Sequence, residues 1–438
     1  MAKKKYNGDD RRDAAPRRRI VVVGGGFAGL SFIKKIDRRA NEVIVIDRNN
    51  FHSFPPLFYQ VASAGLDAGS ISFALRREMR SRRAKGCQYH MGHVTRIDAA
   101  AHTVHTQFES IPYDELVIAA GTTNNFFGIE GLEDKVYTLK STSQAIRCRN
   151  DILERLERAA VSDDPELRRR LLTFTIIGGG PAGVEVAGAL GEMKRYILRR
   201  EYPTLSVDDV TVTLVEGTDR LLRTMSPSAS RHALEYMKHL MVNVRLKTTM
   251  RSFDNNILTF GDGSQQYSDM VIWTAGVTGE PFEFTGAQPK MEHGNRLAVD
   301  EFNRVVGLDN VYAVGDIAYH ADDAWPHALP QVAQVAIQGA RTLAYNLNRG
   351  TWQRPFVYRD KGTMATVGRN RAVADLKHVH LYGRPAWFTW MLVHLMSLLG
   401  MRNRLTVLIT WIWAYFTYSS SLRLILRPTR HPHRTRWG

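Results

Sequence analysis

Residues Gly24-Gly25-Gly26-Phe27-Ala28-Gly29 and Gly178-Gly179-Gly180-Pro181-Ala182-Gly183 share the spacing G-x-G-x-x-G. In that spacing the first glycine permits a tight turn and the second lets a pyrophosphate approach the backbone. The third lets a helix pack closely on its strand. Phosphates then sit at a helix N-terminus, where free N–H groups and the helix dipole favour negative charge. One such match is weak evidence. Two in one chain, each followed by a strand that ends in an acid, point to two dinucleotide sites. The acids are Asp47 and Glu216, and each is expected to accept hydrogen bonds from ribose hydroxyls. A chain that holds two dinucleotides is most simply one that passes electrons between them.

Other residues could join that chemistry. At a nicotinamide site, a carboxylate at Glu216 would repel a 2′-phosphate, which favours NADH over NADPH. Gly315-Asp316 ends a short apolar strand and could bring a carboxylate and a backbone N–H to a flavin's ribityl-phosphate arm. Glu185 lies two residues past Gly183, in what should be the first turn of the second helix. There it would either offset the helix dipole or sit beside a nicotinamide. The only cysteines, Cys87 and Cys148, form no close pair, which speaks against iron–sulfur clusters, structural zinc and a redox disulfide. The pairs His90/His93, His102/His105 and His431/His433 offer no third or fourth ligand nearby, so no metal site is expected.

The elements needed to hold these residues are legible. Arg19 to Val23 reads as a strand, continuously apolar from Ile20 onward, as one buried on both faces should be. A helix through about Asp37 and a strand over Glu42 to Ile46 complete a β-α-β unit. The second unit starts at Leu172, with a long helix to about Arg200 and a strand over Val210 to Val215. Glu216 comes 38 residues after Gly178 rather than the usual ~20, with the extra length in the helix and in residues 201–209. Residues 142–171 read as a charged amphipathic helix broken near Asp163-Asp164-Pro165, and 327–349 as another helix. Helical spacing also follows Ser70, and Val104 to Glu109 looks like a strand. The fold class is therefore α/β, with two Rossmann-like dinucleotide-binding domains.

The chain has 438 residues, 44% of them apolar, and a net charge of +16. That length implies two or three domains, and that charge an anionic partner, either nucleic acid or a membrane surface. From Leu376 onward there is no Asp or Glu, but nine Lys or Arg residues and five of the eight tryptophans: Trp387, Trp390, Trp411, Trp413 and Trp437. Two apolar stretches, 386–401 and 405–418, are split by Arg402-Asn403-Arg404. Each would span roughly 20–24 Å as a helix, short of a ~30 Å hydrocarbon core. Interfacial tryptophans, arginines and the lack of acids point to amphipathic helices lying in an anionic membrane surface. A buried hairpin or a homodimer interface is the alternative. Nucleic-acid binding is not expected, because long Leu/Ile/Val/Trp runs do not suit a solvated phosphate-binding face. Residues 1–16 read as a basic disordered tail without the apolar core of a secretory signal.

Taken together, the motifs resemble the type II NADH dehydrogenases, single-subunit NADH:quinone oxidoreductases that do not pump protons. The likeness rests on Val22-Val-Gly-Gly-Gly-Phe-Ala-Gly29, Asp47-Arg-Asn-Asn50, Pro56-Leu-Phe-Tyr-Gln-Val-Ala62 and Ala120-Gly-Thr-Thr-Asn124. It continues through Gly178 to Glu185, Trp273-Thr-Ala-Gly-Val277, Val314-Gly-Asp316, Ala333-Gln-Val-Ala-Ile-Gln338 and the run from Tyr358 to Arg369. The resemblance implies FAD in the first unit, on Gly24, Gly26, Phe27, Ala28, Gly29, Asp47, Ala120, Gly121 and Asp316. It implies NADH in the second, on Gly178, Gly180, Gly183, Glu185, Glu216 and Gly276. Gln334 would border both flavin and a quinone tunnel, with Ile337 and Gln338 behind it, and Lys361 would tune flavin or quinone electrostatically. Glu185, Gln334 and Lys361 are thus the catalytic candidates.

The same resemblance implies a FAD domain over 17–140 and 285–375, an NADH domain over 141–284 inserted in it, and a membrane-association region over 376–438. It also implies a peripheral enzyme on the cytoplasmic side of the cell inner membrane. Two relatives on the same scaffold compete. A sulfide:quinone type would need paired active-site cysteines. A soluble-acceptor, ferredoxin-reductase-like enzyme would have no use for the last 50 or so residues.

Overall fold

The computed structural model describes residues 17–417 and 422–426 of the 438. The tail expected over 1–16 lies outside the described residues, as does Trp437. The helices that position the sites are, in chain order, α1 (Phe27–Ile33), α2 (Phe58–Ala62), α3 (Thr142–Ala160), α4 (Pro181–Glu192), α5 (Pro227–His239), α6 (Ala333–Arg349), α7 (Gly383–Ser397) and α8 (Met401–Thr417).

The described residues form two compact units: 17–52, 74–122 and 278–359, and 53–73, 123–277, 360–417 and 422–426. These boundaries differ from the expected ones. Residues 53–73, 123–140 and 360–375 go with the second unit, and the described residues after 375 do not stand apart from it. The physical reason is packing: α2 lies on α3 and α4, and the hairpin strand Thr363–Thr366 lies on α4.

In the first unit a five-stranded parallel sheet has Arg18–Val23 at its centre. Asn41–Asp47 and Glu115–Ile118 flank it, with Gln88–Met91 and Val311–Ala313 at the edges. Val23 pairs with Ile46, so Gly24 comes level with Asp47. The second unit repeats this arrangement. Thr173–Ile177 lies between Thr211–Val215 and Met270–Trp273 in a five-stranded parallel sheet. Ile177 pairs with Val215, which brings Gly178 level with Glu216. Ile20–Val23 and the whole of Thr173–Ile177 are buried, consistent with strands covered on both faces.

Several elements differ from the sequence expectation. Helix α1 stops at Ile33, four residues short of Asp37, and closes with an i→i+3 bond from the Lys35 N–H to the Phe32 carbonyl. Helix α4 continues through a π-helical turn, Met193–Ile197, into Leu198–Glu201, so the extra length before Glu216 does lie there. The break near Asp164-Pro165 is present, with Asp164 capping Pro165–Leu171. Helix α6 starts at Ala333 rather than 327, since Pro330 cannot extend it upstream. After Ser70 there is a strand, Ser72–Ala74, and a single helical turn, Leu75–Glu78. The strand expected to reach Glu109 ends at Thr106, whose N–H bonds the Glu109 carbonyl to close a hairpin.

The two C-terminal helices form, but the break falls at Leu398–Gly400 rather than at Arg402–Arg404. Gly400 has φ +79°, and a Cβ there would meet the Phe73 ring at 2.7 Å. Leu398 leaves the helix in an extended conformation (φ −62°, ψ 143°) and left-handed Gly400 turns the chain into α8, whereas arginines suit a helix interior. No helix among the described residues is long and apolar enough to cross a membrane.

Candidate functional site

The two glycine turns are near copies of one another. Gly24 and Gly178 have φ +107° and +111°, and their N–H groups donate to Ile46 and Val215 carbonyls, each at 2.8 Å. A Cβ on Gly29 would fall 1.9 Å from the Gly24 carbonyl oxygen. One on Gly183 would fall 1.8 Å from that of Gly178. Only glycine allows these helices to start so close to their strands. Gly26 and Gly180, by contrast, face open space, and neither α1 nor α4 has a side-chain cap. An uncapped helix start behind an open glycine is a cradle that a pyrophosphate fits.

The acids do more than expected. Asp47 Oδ2 accepts the Gly25 N–H at 2.6 Å, and Oδ1 accepts the Asn49 N–H at 2.7 Å. Glu216 Oε2 accepts the Gly179 N–H at 2.6 Å, and Oε1 accepts the Thr218 N–H at 2.7 Å. Each carboxylate thus fixes the middle glycine of its own turn and keeps lone pairs for a ribose. Sequence reasoning passed over Gly25 and Gly179, although a Cβ on Gly179 would meet Glu216 Oε2 at 2.8 Å.

In the first unit Gly315 (φ +80°) lies against both helix starts. A Cβ there would be 3.2 Å from Ala28 Cβ and 3.3 Å from Ala336 Cβ. Asp316 and the start of α6 are therefore brought to the first turn together with Gly24, Gly26, Phe27, Ala28 and Gly29. Gln334 and Ile337 are half-buried on α6. Gln338 is tied in both directions to the Arg359 backbone, donating at 3.0 Å and accepting at 3.1 Å, so its amide is engaged in holding the 359 segment. Gly121 has φ +74° and faces open space beside half-buried Ala120. His52 was missed. It is buried edge-on to Phe27, and its Nδ1 lies 3.0 Å from the Gly25 carbonyl. Its Nε2 is buried with no partner among the described residues. Burial pushes its pKa down to about 4, so the ring is neutral and has one nitrogen to offer a ligand.

In the second unit Gly276 (φ +80°) lies against the Phe127 ring, and its neighbour Ala275 crowds Gly178. Glu185 is not a first-turn dipole compensator: it lies past the first turn of α4 and is buried. Burial raises its pKa to about 8, opposed by the Thr366 backbone N–H at 3.4 Å and by the facing Trp390 indole. That indole N–H closes no hydrogen bond with a described residue. From Thr366 a polar chain leads outward. Thr366 Oγ1 and Tyr59 Oη are 2.9 Å apart, Gln60 Nε2 donates to Tyr59 Oη at 2.9 Å, and Trp411 Nε1 donates to Gln60 Oε1 at 2.8 Å. Lys361 is exposed, two residues ahead of the strand that carries Thr366.

The C-terminal tryptophans divide. Trp390 and Trp411 are buried, 6.0 Å apart by ring centroids, and belong to the Glu185 surroundings rather than to an interface. Trp413 is exposed with Phe388, Leu392, Met396, Leu405, Ile409, Ile412 and Phe416, which gives α7 and α8 an uncovered apolar face.

Comparison with known proteins agrees with this geometry. Residues 18–340 match the pyridine nucleotide-disulphide oxidoreductase family, and 361–418 match the NDH2 C-terminal domain. The type II NADH:quinone oxidoreductase Ndh of Mycobacterium tuberculosis is 33% identical over 405 residues, covering 89% of this chain and 86% of that one. An internal alternative NAD(P)H-ubiquinone oxidoreductase of Arabidopsis thaliana is 28% identical over 428 residues, covering 90% of this chain and 83% of that one. The NDH2 of Plasmodium falciparum, solved in complex with NADH, has the same fold, with a TM-score of 0.85 over 94% of this chain and all of that one at 21% identity. A sulfide:quinone oxidoreductase of Aquifex aeolicus superposes less well, at 0.69, and both cysteines here are buried and unpaired. The chain therefore belongs to the type II NADH:quinone oxidoreductases, within the pyridine nucleotide-disulphide oxidoreductase family.

Proposed function

We propose that this chain oxidises NADH and reduces a membrane quinone through FAD, without moving protons across the membrane. FAD, when bound, takes two electrons from NADH and gives them to the quinone. The residues supply position and electrostatics. The first turn, with Asp47 and Asp316, holds FAD, and His52 Nε2 offers it one further polar contact. The second turn, with Glu216, holds NADH. Buried, mostly neutral Glu185 borders the nicotinamide, while Gln334 and Ile337 border the quinone and Lys361 adds positive charge. The observation that carries this reading is the duplication itself: two open helix starts, each backed by a carboxylate that fixes its own turn. Helices α7 and α8 carry no acid, so they offer no proton relay.

Anaerobic spectroscopy of the FAD-loaded protein tests it. NADH should bleach the flavin and a short-chain quinone should restore its absorbance. Bleaching without restoration would point to a soluble acceptor instead. In the same assay Glu216→Ala should raise the NADPH/NADH ratio of kcat/KM at least tenfold, since the carboxylate that repels a 2′-phosphate is gone. An unchanged ratio would remove Glu216 from nucleotide selection.

The enzyme is read as peripheral on the cytoplasmic face of the inner membrane, with α7 and α8 on an anionic surface. Burying a Leu or Ile side chain contributes ~1.5–3 kcal/mol. Leu392→Ser and Ile409→Ser should therefore each weaken vesicle binding about tenfold or more in flotation. Should they alter the oligomeric state and leave flotation unchanged, the outward face is a homodimer contact and not a membrane face.

A further inference from the structure

At the opposite end of α4 from the nucleotide turn, the second unit contains a cavity of about 290 Å³. Its floor is the hairpin turn 368–371, between the strands Thr363–Thr366 and Ala372–Asp375. The end of α4 and its π-helical turn, the last turn of α5 and the start of α7 form the walls. The turn is firmly seated: a Cβ on Gly188 of α4 would be 2.7 Å from the Gly368 nitrogen. None of the nucleotide or quinone residues described above lines this cavity.

The lining is cationic. Arg369 and Arg371 come from the floor and Arg384 from the first turn of α7. Glu192 is the one acid among the lining residues. Burial pushes its pKa up to about 7 against the pull of the adjacent Arg369, so one partly ionised acid faces three arginines. His239 also faces this charge: burial first, and then Arg371 and Arg195, disfavour its protonation. Two guanidinium groups sit over aromatic rings. Arg371 lies over Tyr236 at 5.3 Å, and Arg369 over Tyr415 at 4.9 Å, where it also donates to the Tyr415 carbonyl. Guanidinium groups already held over rings lose less freedom on closing bidentate bonds to an oxyanion.

What leaves the cavity matters equally. Arg384 starts an i+4 ridge on α7 that continues through Phe388, Leu392 and Met396, which are 55%, 62% and 57% exposed. A cationic cavity that opens onto an apolar ridge has the polarity of an amphiphile. We propose that the cavity binds a phosphate ester, the head group of an anionic phospholipid, on Arg369, Arg371 and Arg384, with its acyl chains along Phe388, Leu392 and Met396. The assignment rests on the reading that α7 lies in a membrane surface. Free phosphate shares the head-group chemistry but has no use for the ridge.

The test is calorimetric titration of FAD-loaded, full-length protein with three probes: monomeric dihexanoylphosphatidylglycerol, dihexanoylphosphatidylcholine and inorganic phosphate. The phosphatidylglycerol should bind one to one, at least tenfold more tightly than either other probe. Arg371→Gln with Arg384→Gln should weaken it tenfold or more. Arg402→Gln, an exposed arginine outside the cavity, should change it less than twofold, with melting temperatures confirming that all variants fold. Equal affinity for both lipids, or an unaffected double variant, would overturn the proposal. Phosphate binding as tightly as the phosphatidylglycerol would make this a free-phosphate site and overturn the lipid assignment. Flotation with pure phosphatidylcholine vesicles checks the membrane reading separately. There the double variant should float as wild type does; on vesicles containing phosphatidylglycerol wild type should float, and if it does not, that reading fails independently of the titration.

Discussion

Gly183→Ala is expected to keep its flavin and lose NADH, whereas Gly29→Ala is expected to be isolated without flavin. The added methyl in either case would sit within 2 Å of a backbone carbonyl oxygen, at 1.8 Å in the second turn and 1.9 Å in the first. Ordinary contact is ~3.4 Å, so the helix start must retreat by more than an ångström from the phosphate it serves. At Gly183 the methyl would also meet Thr274 Oγ1 at 2.7 Å, and that hydroxyl already donates to the Ile177 and Gly178 carbonyls. The expected loss is at least ~100-fold in kcat/KM for NADH, about 2.7 kcal/mol of transition-state stabilisation. The ratio of flavin to protein absorbance reads the first effect and NADH titration the second. If Gly183→Ala came out colourless while Gly29→Ala kept its flavin, the two turns would have to exchange their nucleotides.

Glu185→Gln is expected to change the pH dependence of the protein. Burial lifts the Glu185 pKa from 4.5 to about 8. Between those values the native state holds a proton that the unfolded chain has released. Stability therefore falls as pH rises through that window, and the loss is complete above about pH 8. Taken in full the shift corresponds to up to about 5 kcal/mol, and relaxation around the charged form would reduce it. Glutamine keeps the neutral shape and has no proton to lose. The variant should melt near the wild-type temperature at pH 5 and several degrees above it at pH 8.5. Parallel melting curves across that range would mean that the carboxyl finds solvent or a cation. Where Glu185 borders the nicotinamide, flavin reduction by NADH should slow in the variant and lose its inflection near pH 8.

Both glycine turns, their acids and the parallel strands were legible because each is a local pattern with one backbone solution. What escaped depends on contacts between distant segments. That Asp47 and Glu216 fix Gly25 and Gly179 follows from a strand register that places residues 22 and 37 positions apart at one level. No spacing rule marks a middle glycine for that purpose. His52 carries no pattern of its own, and only the fold brings its ring beneath the Gly25 carbonyl. Glu185 was recognisable as an acid near a helix start, but its burial comes from α7 and the 363–375 hairpin, almost two hundred residues away. At the C-terminus, composition announced two apolar helices and misplaced their break. A run of charge catches the eye more readily than one glycine at positive φ. Trp390 and Trp411 misled for a related reason: a tryptophan in a basic, apolar segment looks interfacial until its indole is found facing inward.

The hydrogen bond from Trp411 to Gln60 bears on how this enzyme can be made soluble. Cutting the chain ahead of residue 383 would remove the greasy exterior, but also the indole wall beside Glu185 and the last donor in the Gln60–Tyr59–Thr366 series. The products of such a truncation would be a hydrated carboxyl and an α2 that has lost its cover. Detergent-free preparations are better sought by repainting the outward positions 388, 392, 409 and 416 with polar residues. The inward tryptophans then stay where the nucleotide domain requires them.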